Sequence, residues 1–588
     1  MCGITGIITE KDLTKKLVTE LKKLEYRGYD SAGICTSFDN KFFVTKEVGE
    51  VKNLEKKLDY DKPCTYGIGH TRWATHGEAS IKNCHPHLSK NWAVVHNGII
   101  ENYMDIKKVL KSKGVNFLSD TDSECVSALL EFYNVKDEQG IAKVVSQLKG
   151  SFALAMINKN IKDKIFVAKN SSPLYIAKCG EDMRVSSDIV SFYDVADEFF
   201  ALNDNEIAVV EKSKITFFDK TGKEISKSPN KLVISNRLAE KQDYEHFMLK
   251  EIFETSGLLK DVYKYYTHNE KLIYDLKKYF RQASQVLLVG CGTAYHSALM
   301  GERFIKQKLS KPVFTYIASE FIYDDTYIDT ETLAIFISQS GETADTISAL
   351  KKAKSKGAKT IAITNNVNSQ IAFLADIVLP VLAGPEIAVA STKAYNCQCF
   401  ILGLISSFIS GGAGFVKNFD ELVYNLKGID SNLCLEIAER IKGYKQSFFV
   451  GRGIDYVTSC EASLKLKEIS YINSSAFPSG ELKHGSLALI DKNALVFNII
   501  TDKTLKEKSL IGLGEVKTRK AKVIVLSPFD DVKKYLDKND IFIKLQDLDG
   551  ETYQLATTYC QLISYYTSTL KGINPDKPRN LAKSVTVE

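Results

Sequence analysis

Two glycine turns, Gly290-Cys291-Gly292 and Gly451-Arg452-Gly453, stand 161 residues apart in a chain of 588, and they constrain its fold more than any other feature. Each follows a strand-like run, at residues 285–289 and 447–450, that is unbroken apolar after its first residue, and each opens onto a helical stretch. Apolar runs without alternation predict strands buried on both faces, as in a parallel sheet covered by helices. Strand-like runs at 333–337 and 360–364 follow the first turn, and runs at 495–500 and 522–526 follow the second at nearly the same offset. The recurrence predicts one doubly wound α/β domain, duplicated, with the copies meeting near residues 424–431.

Residues before about 233 follow a different pattern. Short runs of strand type (41–46, 92–96, 152–158, 164–168 and 206–211) lie among charged helical stretches at 13–25 and 105–113. That mixture predicts a layered α+β domain rather than repeated βα units. A polar linker is expected around 228–240, with an amphipathic helix over 236–254. The uncharged stretch between Lys393 and Lys417 is long enough for a bilayer. Its Asn396, Gln398, Ser406, Ser407, Ser410 and the Gly411-Gly412 break predict a buried helix ending in a loop instead.

With 78 basic and 72 acidic residues the net charge is +6, too balanced for a nucleic-acid or membrane footprint. The 12 cysteines show no Cys-x-x-Cys pair and no zinc spacing, and no secretory signal precedes them. Reduced thiols in a cytoplasmic enzyme, without a metal, are expected.

Candidate chemistry begins at Cys2. Removal of Met1 would place a free α-amine on the same residue as the thiol. An amine with a pKa of about 7.7–8.0 can serve as base for a thiol of about 8.5. Asn97-Gly98 after a strand reads either as a type I′ hairpin turn or as the amide and N–H donors of an oxyanion hole. Arg72 can clamp a carboxylate. Asp122 either pairs an ammonium group or caps a helix over Glu124–Phe132. Together these groups describe a site for an amino acid with a side-chain amide. In the duplicated half, Ser338-Gln339-Ser340-Gly341-Glu342-Thr343 joins a strand to a helix start, where it can cradle phosphate or simply cap the helix. The matching turn of the second copy, Thr501-Asp502-Lys503, carries a carboxylate, so one phosphate site per chain is expected. Gly290-Cys291-Gly292 lacks the third glycine of a dinucleotide fingerprint, with Tyr295 in its place, so no cofactor is expected. Lys465 and Glu468 share a helix face, either as a surface ion pair or as proton-transfer machinery with His484. The chain ends on a basic tail, Arg579 to Glu588, whose four apolar residues suggest docking.

Cys2-Gly3-Ile4, the run from Leu24 to Gly33, the Arg72–Gly77 block and His96-Asn97-Gly98 resemble the glutaminase domain of class II amidotransferases. The resemblance implies an αββα N-terminal-nucleophile hydrolase sandwich. It makes Cys2 the nucleophile, Asn97 and Gly98 the oxyanion hole, and Arg72, Thr75, His76 and Asp122 the glutamine ligands, with Trp73 gating ammonia. The remaining blocks are similar to paired sugar isomerase (SIS) domains. That similarity implies sugar phosphate held by Thr293, Ser338, Gln339, Ser340, Thr343, Val389 and Ser391. It gives Glu468 proton transfer, His484 ring opening, Lys465 support and Lys583 a Schiff base. The combination implies L-glutamine and fructose 6-phosphate as substrates, glucosamine 6-phosphate as product, an internal ammonia channel and a homodimer in which His484 serves the neighbouring site. Domains are expected at 1–233, 234–425 and 426–575, with a catalytic tail at 576–588.

Two positions depart from the family pattern: Ala294 stands where a phosphate-binding serine is usual, and Ser486 where the His484 loop usually has proline. Two other readings are another class II amidotransferase and a sugar-phosphate-sensing protein without catalysis. The duplicated turns weigh against the first, and Glu468, His484 and Lys583 against the second.

Overall fold

The computed structural model describes residues 2–73, 76–193, 195–232, 241–411 and 418–586, which group into two units. The first takes in the described residues up to 232, with Glu342–Ala344 and residues 582–586; the second takes in those of 241–341 and 345–581.

Two antiparallel sheets form the centre of the first unit. The larger runs, edge to edge, through Asn230–Lys231, Glu198–Ala201, Tyr175–Cys179, Asp182–Ser186, Gly3–Ile8, Tyr66–Arg72, Ser31–Phe38 and Lys41–Val48. The other runs through Glu224–Ile225, Ile215–Phe218, Ile207–Glu211, Lys164–Asn170, Gly150–Asn158, Trp92–Ile100 and His87–Leu88. Side chains such as Ile4, Ile68, Val95, Ala155 and Val167 fill the space between the sheets. Helix Leu13–Leu24 packs outside the first sheet, and helices Glu124–Phe132 and Glu138–Val145 outside the second. Four layers, αββα, result as expected.

Asn97 and Gly98 lie inside the Trp92–Ile100 strand, opposite Ala153 and Phe152, so the hairpin reading is wrong. A glycine is required there because its φ is +125° and a Cβ would sit 2.0 Å from the Ser151 carbonyl oxygen.

Each sheet of the second unit has five parallel strands in one shared order. The first runs Val313–Ile317, Gln285–Gly290, Thr332–Ser338, Lys359–Thr364 and Ile377–Pro380. The second runs Asn473–Pro478, Gln446–Gly451, Leu495–Ile499, Lys522–Ser527 and Ile541–Lys544. Duplication extends to single residues. Gly292 and Gly453 have φ of 54° and 58°, and a Cβ on Gly290 or Gly451 would strike the backbone of Ala294 or Asp455. One apolar core joins the inner faces of both sheets to the long helices Phe247–Thr267, Lys393–Ile409 and Thr552–Leu570.

Lys393–Ile409 is the buried helix expected from its polar residues, and among the described residues no helix is long and apolar enough to cross a membrane. The amphipathic helix expected over 236–254 begins only at Phe247, and residues 233–240 lie outside the described ones. Its start is set by Asp576, whose carboxylate accepts from Phe247 N at 2.9 Å and Met248 N at 2.8 Å, satisfying two orphan donors of the first turn.

Candidate active sites

In the first unit Cys2 precedes the central strand Gly3–Ile8, whose neighbour Tyr66–Arg72 delivers Trp73 beside it. The Trp73 N–H donates to Cys2 Sγ at 3.3 Å, and the thiol can donate back to the Trp73 carbonyl at 3.5 Å. Burial pushes the Cys2 thiol up, while the Trp73 N–H and Arg72 pull it back. Asn97 Nδ2 donates to the Cys2 carbonyl oxygen at 2.9 Å, which sets an amide N–H beside Cys2.

Arg72 is 3% exposed, and its guanidinium donates to the carbonyls of Glu78 (3.2 Å), His76 (2.5 Å) and Gly77 (2.9 Å). It thereby shapes the loop that carries His76, whose ring meets Tyr103 edge-on at 5.5 Å. Asp122 is buried; its carboxylate accepts from Ile100 N at 2.8 Å and Ser123 Oγ at 3.3 Å rather than capping the Glu124–Phe132 helix. Trp73 stands edge-on to Tyr29 at 5.7 Å. Thr75 lies outside the described residues.

In the second unit the helices that follow the two glycine turns bring Thr293 and Lys465 together. The Lys465 ammonium donates to Thr293 Oγ1 at 2.9 Å and pairs with Glu461 Oε1 at 3.3 Å and Glu468 Oε2 at 2.7 Å. Lys465 is 1% exposed, so the surface-pair reading is wrong. Burial opposes its charge, but Glu461 and Glu468 outweigh it and hold the ammonium above the usual lysine range. Glu461 also accepts from Thr293 Oγ1 at 3.2 Å and lies 2.7 Å from His296 Nδ1. Sequence reasoning missed Glu461 and His296. Glu461 was within reach, because positions 461, 465 and 468 share one helix face.

Ser338 Oγ accepts from Gly341 N at 3.0 Å, closing the loop before helix Ala344–Ser355. Gly341 has a φ of +69°, and a Cβ there would lie 1.9 Å from Ser369 Oγ. The Gln339 carbonyl accepts from Asn365 N at 3.2 Å. Ser391 Oγ donates to Glu386 at 2.8 Å, and Glu386 also accepts from Thr392 N and Ala394 N at the start of Lys393–Ile409. Val389 N donates to the Asp576 carbonyl at 3.1 Å. His484 is exposed on the short turn Leu482–His484. Thr343 and Lys583 group with the first unit.

The second copy's turn is filled from within. Asp455, at the place matching Ala294, accepts from Thr501 N (2.9 Å), Thr501 Oγ1 (2.5 Å) and Asp502 N (3.3 Å). Burial pushes its carboxyl up to about 7 against these donors. The carboxylate facing the turn is therefore Asp455 rather than Asp502. In the tail, Ser584 and Thr586 are buried while Val585 is 48% exposed, and the Val585 carbonyl accepts from Ala344 N at 3.0 Å. Among the described residues the tail docks with Ser584 and Thr586 buried and Leu581 and Ala582 half-buried, while Val585 faces out; Val587 lies outside the described residues.

Residues 70–194 match the model of the glutamine amidotransferase domain, and residues 279–406 and 441–537 that of the SIS domain. A glutamine–fructose-6-phosphate aminotransferase (isomerizing) of Fusobacterium nucleatum is 40% identical over 616 residues, covering 100% of both chains. A protein of the same name from Pyrococcus horikoshii is 40% identical over 609 residues, again with 100% of both chains covered. Among solved structures, the C-terminal domain of glucosamine-fructose-6-phosphate aminotransferase from Francisella tularensis matches with a TM-score of 0.53 and 32% identity. It covers 58% of this chain and 100% of that one.

Proposed function

The chain belongs to the glutamine–fructose-6-phosphate aminotransferase (isomerising) family and is an enzyme of that activity; from that premise we propose how its own residues carry the reaction. Cys2 attacks the side-chain carbonyl of glutamine, and the negative oxygen so formed faces Asn97 Nδ2–H and Gly98 N–H. The α-amine of Cys2, freed by removal of Met1, takes the thiol proton and returns it to the departing ammonia. Water then hydrolyses the thioester to glutamate. Arg72, Thr75, His76 and Asp122 hold the amino-acid end of glutamine, and Trp73 gates the passage of ammonia.

Fructose 6-phosphate sits with its phosphate in the Ser338–Thr343 loop, aided by Thr293, and with its sugar near Val389 and Ser391. His484 opens the ring, and its exposure supports service in the site of a second copy, hence a homodimer. Lys583 forms an imine at C2, which ammonia displaces. Glu468 removes a proton from C1 and delivers it to C2, giving the 2-amino aldose. Lys465, pinned between Glu461 and Glu468, keeps a positive charge beside that base. The domain limits at 233, 425 and 575 and a cytoplasmic location complete this reading.

The observation that carries the glutaminase assignment is Cys2, bracketed by the Trp73 N–H at its sulfur and the Asn97 amide at its carbonyl. Cys2→Ala should lose glutamine hydrolysis while the variant still interconverts fructose 6-phosphate and glucose 6-phosphate. Retained glutaminase activity would end the assignment.

A further inference from the structure

The Trp92–Ile100 strand has a short neighbour on one edge. The ladder pairs His87 with Val94 and Leu88 with Ala93, and covers no more than these two pairs. Past its end, at His96, two imidazoles satisfy the strand's backbone. The His96 N–H donates to His85 Nδ1 at 3.2 Å, and the His96 carbonyl lies 2.9 Å from His70 Nε2. His70 Nε2 also lies 3.1 Å from Asn97 Oδ1. A backbone carbonyl can only accept, so Nε2 carries the proton; Nδ1, buried without a hydrogen-bond partner, does not. The His70 ring is 0% exposed and stacks on His85 with centroids 4.0 Å apart. Burial lowers its pKa to about 3, so it is a neutral donor at working pH.

That proton settles which way the Asn97 amide points. Turned round, its N–H would meet the His70 N–H, and its oxygen would face the Cys2 carbonyl oxygen, where Nδ2 now donates at 2.9 Å. Both ends of the carboxamide thus face a neighbour of fixed polarity. One amide hydrogen goes to the Cys2 carbonyl, and a second is carried by the same nitrogen for an oxyanion formed at the thiol.

We propose that His70 is a positioning residue for glutamine hydrolysis, its Nε2–H holding the Asn97 carboxamide in the orientation that presents N–H to the oxyanion. The proposal rests on Asn97 being an oxyanion donor. His70→Phe keeps a flat ring against His85 and removes the donor, whereas His70→Gln returns an amide N–H close to the place of Nε2. Loss of one oxyanion donor lowers kcat by about 10²–10³, so His70→Phe should lose at least about tenfold in kcat. KM for glutamine should stay within about twofold. Alkylation of Cys2 by iodoacetamide, a displacement that forms no oxyanion, should keep its rate, and His70→Gln should recover most of kcat. An unchanged kcat in His70→Phe overturns the proposal. So does a parallel fall in alkylation rate, or a glutamine variant no better than the phenylalanine one.

Asn97→Ala separates the two layers of the reading. If it keeps kcat, the oxyanion assignment itself fails; if it loses kcat while His70→Phe does not, only the positioning role fails. Should His70→Phe not fold, ¹⁵N spectra of the unaltered enzyme decide. Protonated Nε2 with bare Nδ1 at His70 is expected, and the opposite tautomer overturns the proposal.

Discussion

Replacing Lys465 with methionine keeps an unbranched side chain and removes its charge, and should cost the second unit about 3–5 kcal/mol. The three N–H groups of Lys465 have three acceptors, Thr293 Oγ1 at 2.9 Å, Glu461 at 3.3 Å and Glu468 at 2.7 Å. Methionine would leave Glu461, itself 0% exposed, beside a second carboxylate with no ammonium between them, and with Thr293 Oγ1 and His296 Nδ1 as its remaining partners. Removing one member of a buried pair strands the charge of the other, which is why the loss exceeds the worth of the contacts themselves. A urea slope of about 3 kcal/mol/M turns this loss into a midpoint lower by about 1–1.7 M. The assay has a built-in division, since both tryptophans of the chain, Trp73 and Trp92, belong to the first unit. Tryptophan fluorescence therefore follows the first unit, and far-UV circular dichroism also follows the helices of the second. Adding Glu461→Gln removes the stranded charge, so the double variant should be more stable than Lys465→Met although it carries two changes. A dichroism midpoint within about 0.3 M of the unaltered enzyme would rule out a stranded charge at Glu461. A double variant less stable than Lys465→Met would rule it out equally.

Two further predictions concern the other end of the chain. Borohydride reduction with fructose 6-phosphate bound should label Lys583, and Lys583→Arg should lose synthesis although charge is kept, because a guanidinium stays protonated and forms no imine. A label at Lys393 or Lys465 in peptide mass spectra would overturn that role. Glu551 is 5% exposed, and burial pushes its carboxyl up to about 8. The folded chain therefore holds this proton more tightly than the unfolded chain, and the contribution is lost as pH rises from about 4.3 toward 8. Glu551→Gln cannot ionise, so its urea midpoint should rise relative to that of the unaltered enzyme as pH rises through that window; a relative fall would contradict the sign.

Much of the second unit was legible because its inner strands are buried on both faces and so read as unbroken apolar runs. The edge strands Val313–Ile317 and Ile377–Pro380 escaped notice, since half-exposed residues interrupt the signal. Helix Phe247–Thr267 starts where a carboxylate 329 residues away caps it, and no local pattern carries that information. Asn97-Gly98 was ambiguous for a different reason. The chemistry that suits a tight turn also suits a strand whose glycine must avoid the Ser151 carbonyl, and only the register with Gly150–Asn158 decides between them. Lys465 and Glu468 looked like surface residues because polarity is all a sequence shows of them, while Thr293, which completes the site, comes from the other copy of the duplicated domain. The tail misled through composition. Ser584 and Thr586 turn inward there and Val585 outward, the reverse of their hydrophobic order.

In the proposed mechanism one chain moves the amide nitrogen of glutamine onto a sugar phosphate, starting at Cys2. The most direct measurement supplies fructose 6-phosphate and glutamine labelled with ¹⁵N at the side-chain amide, in an excess of unlabelled ammonium, and reads the mass of the glucosamine 6-phosphate formed. Product from the unaltered enzyme should carry ¹⁵N, and Cys2→Ala should form no labelled product. Unlabelled product from the unaltered enzyme, or labelled product from Cys2→Ala, would contradict that mechanism.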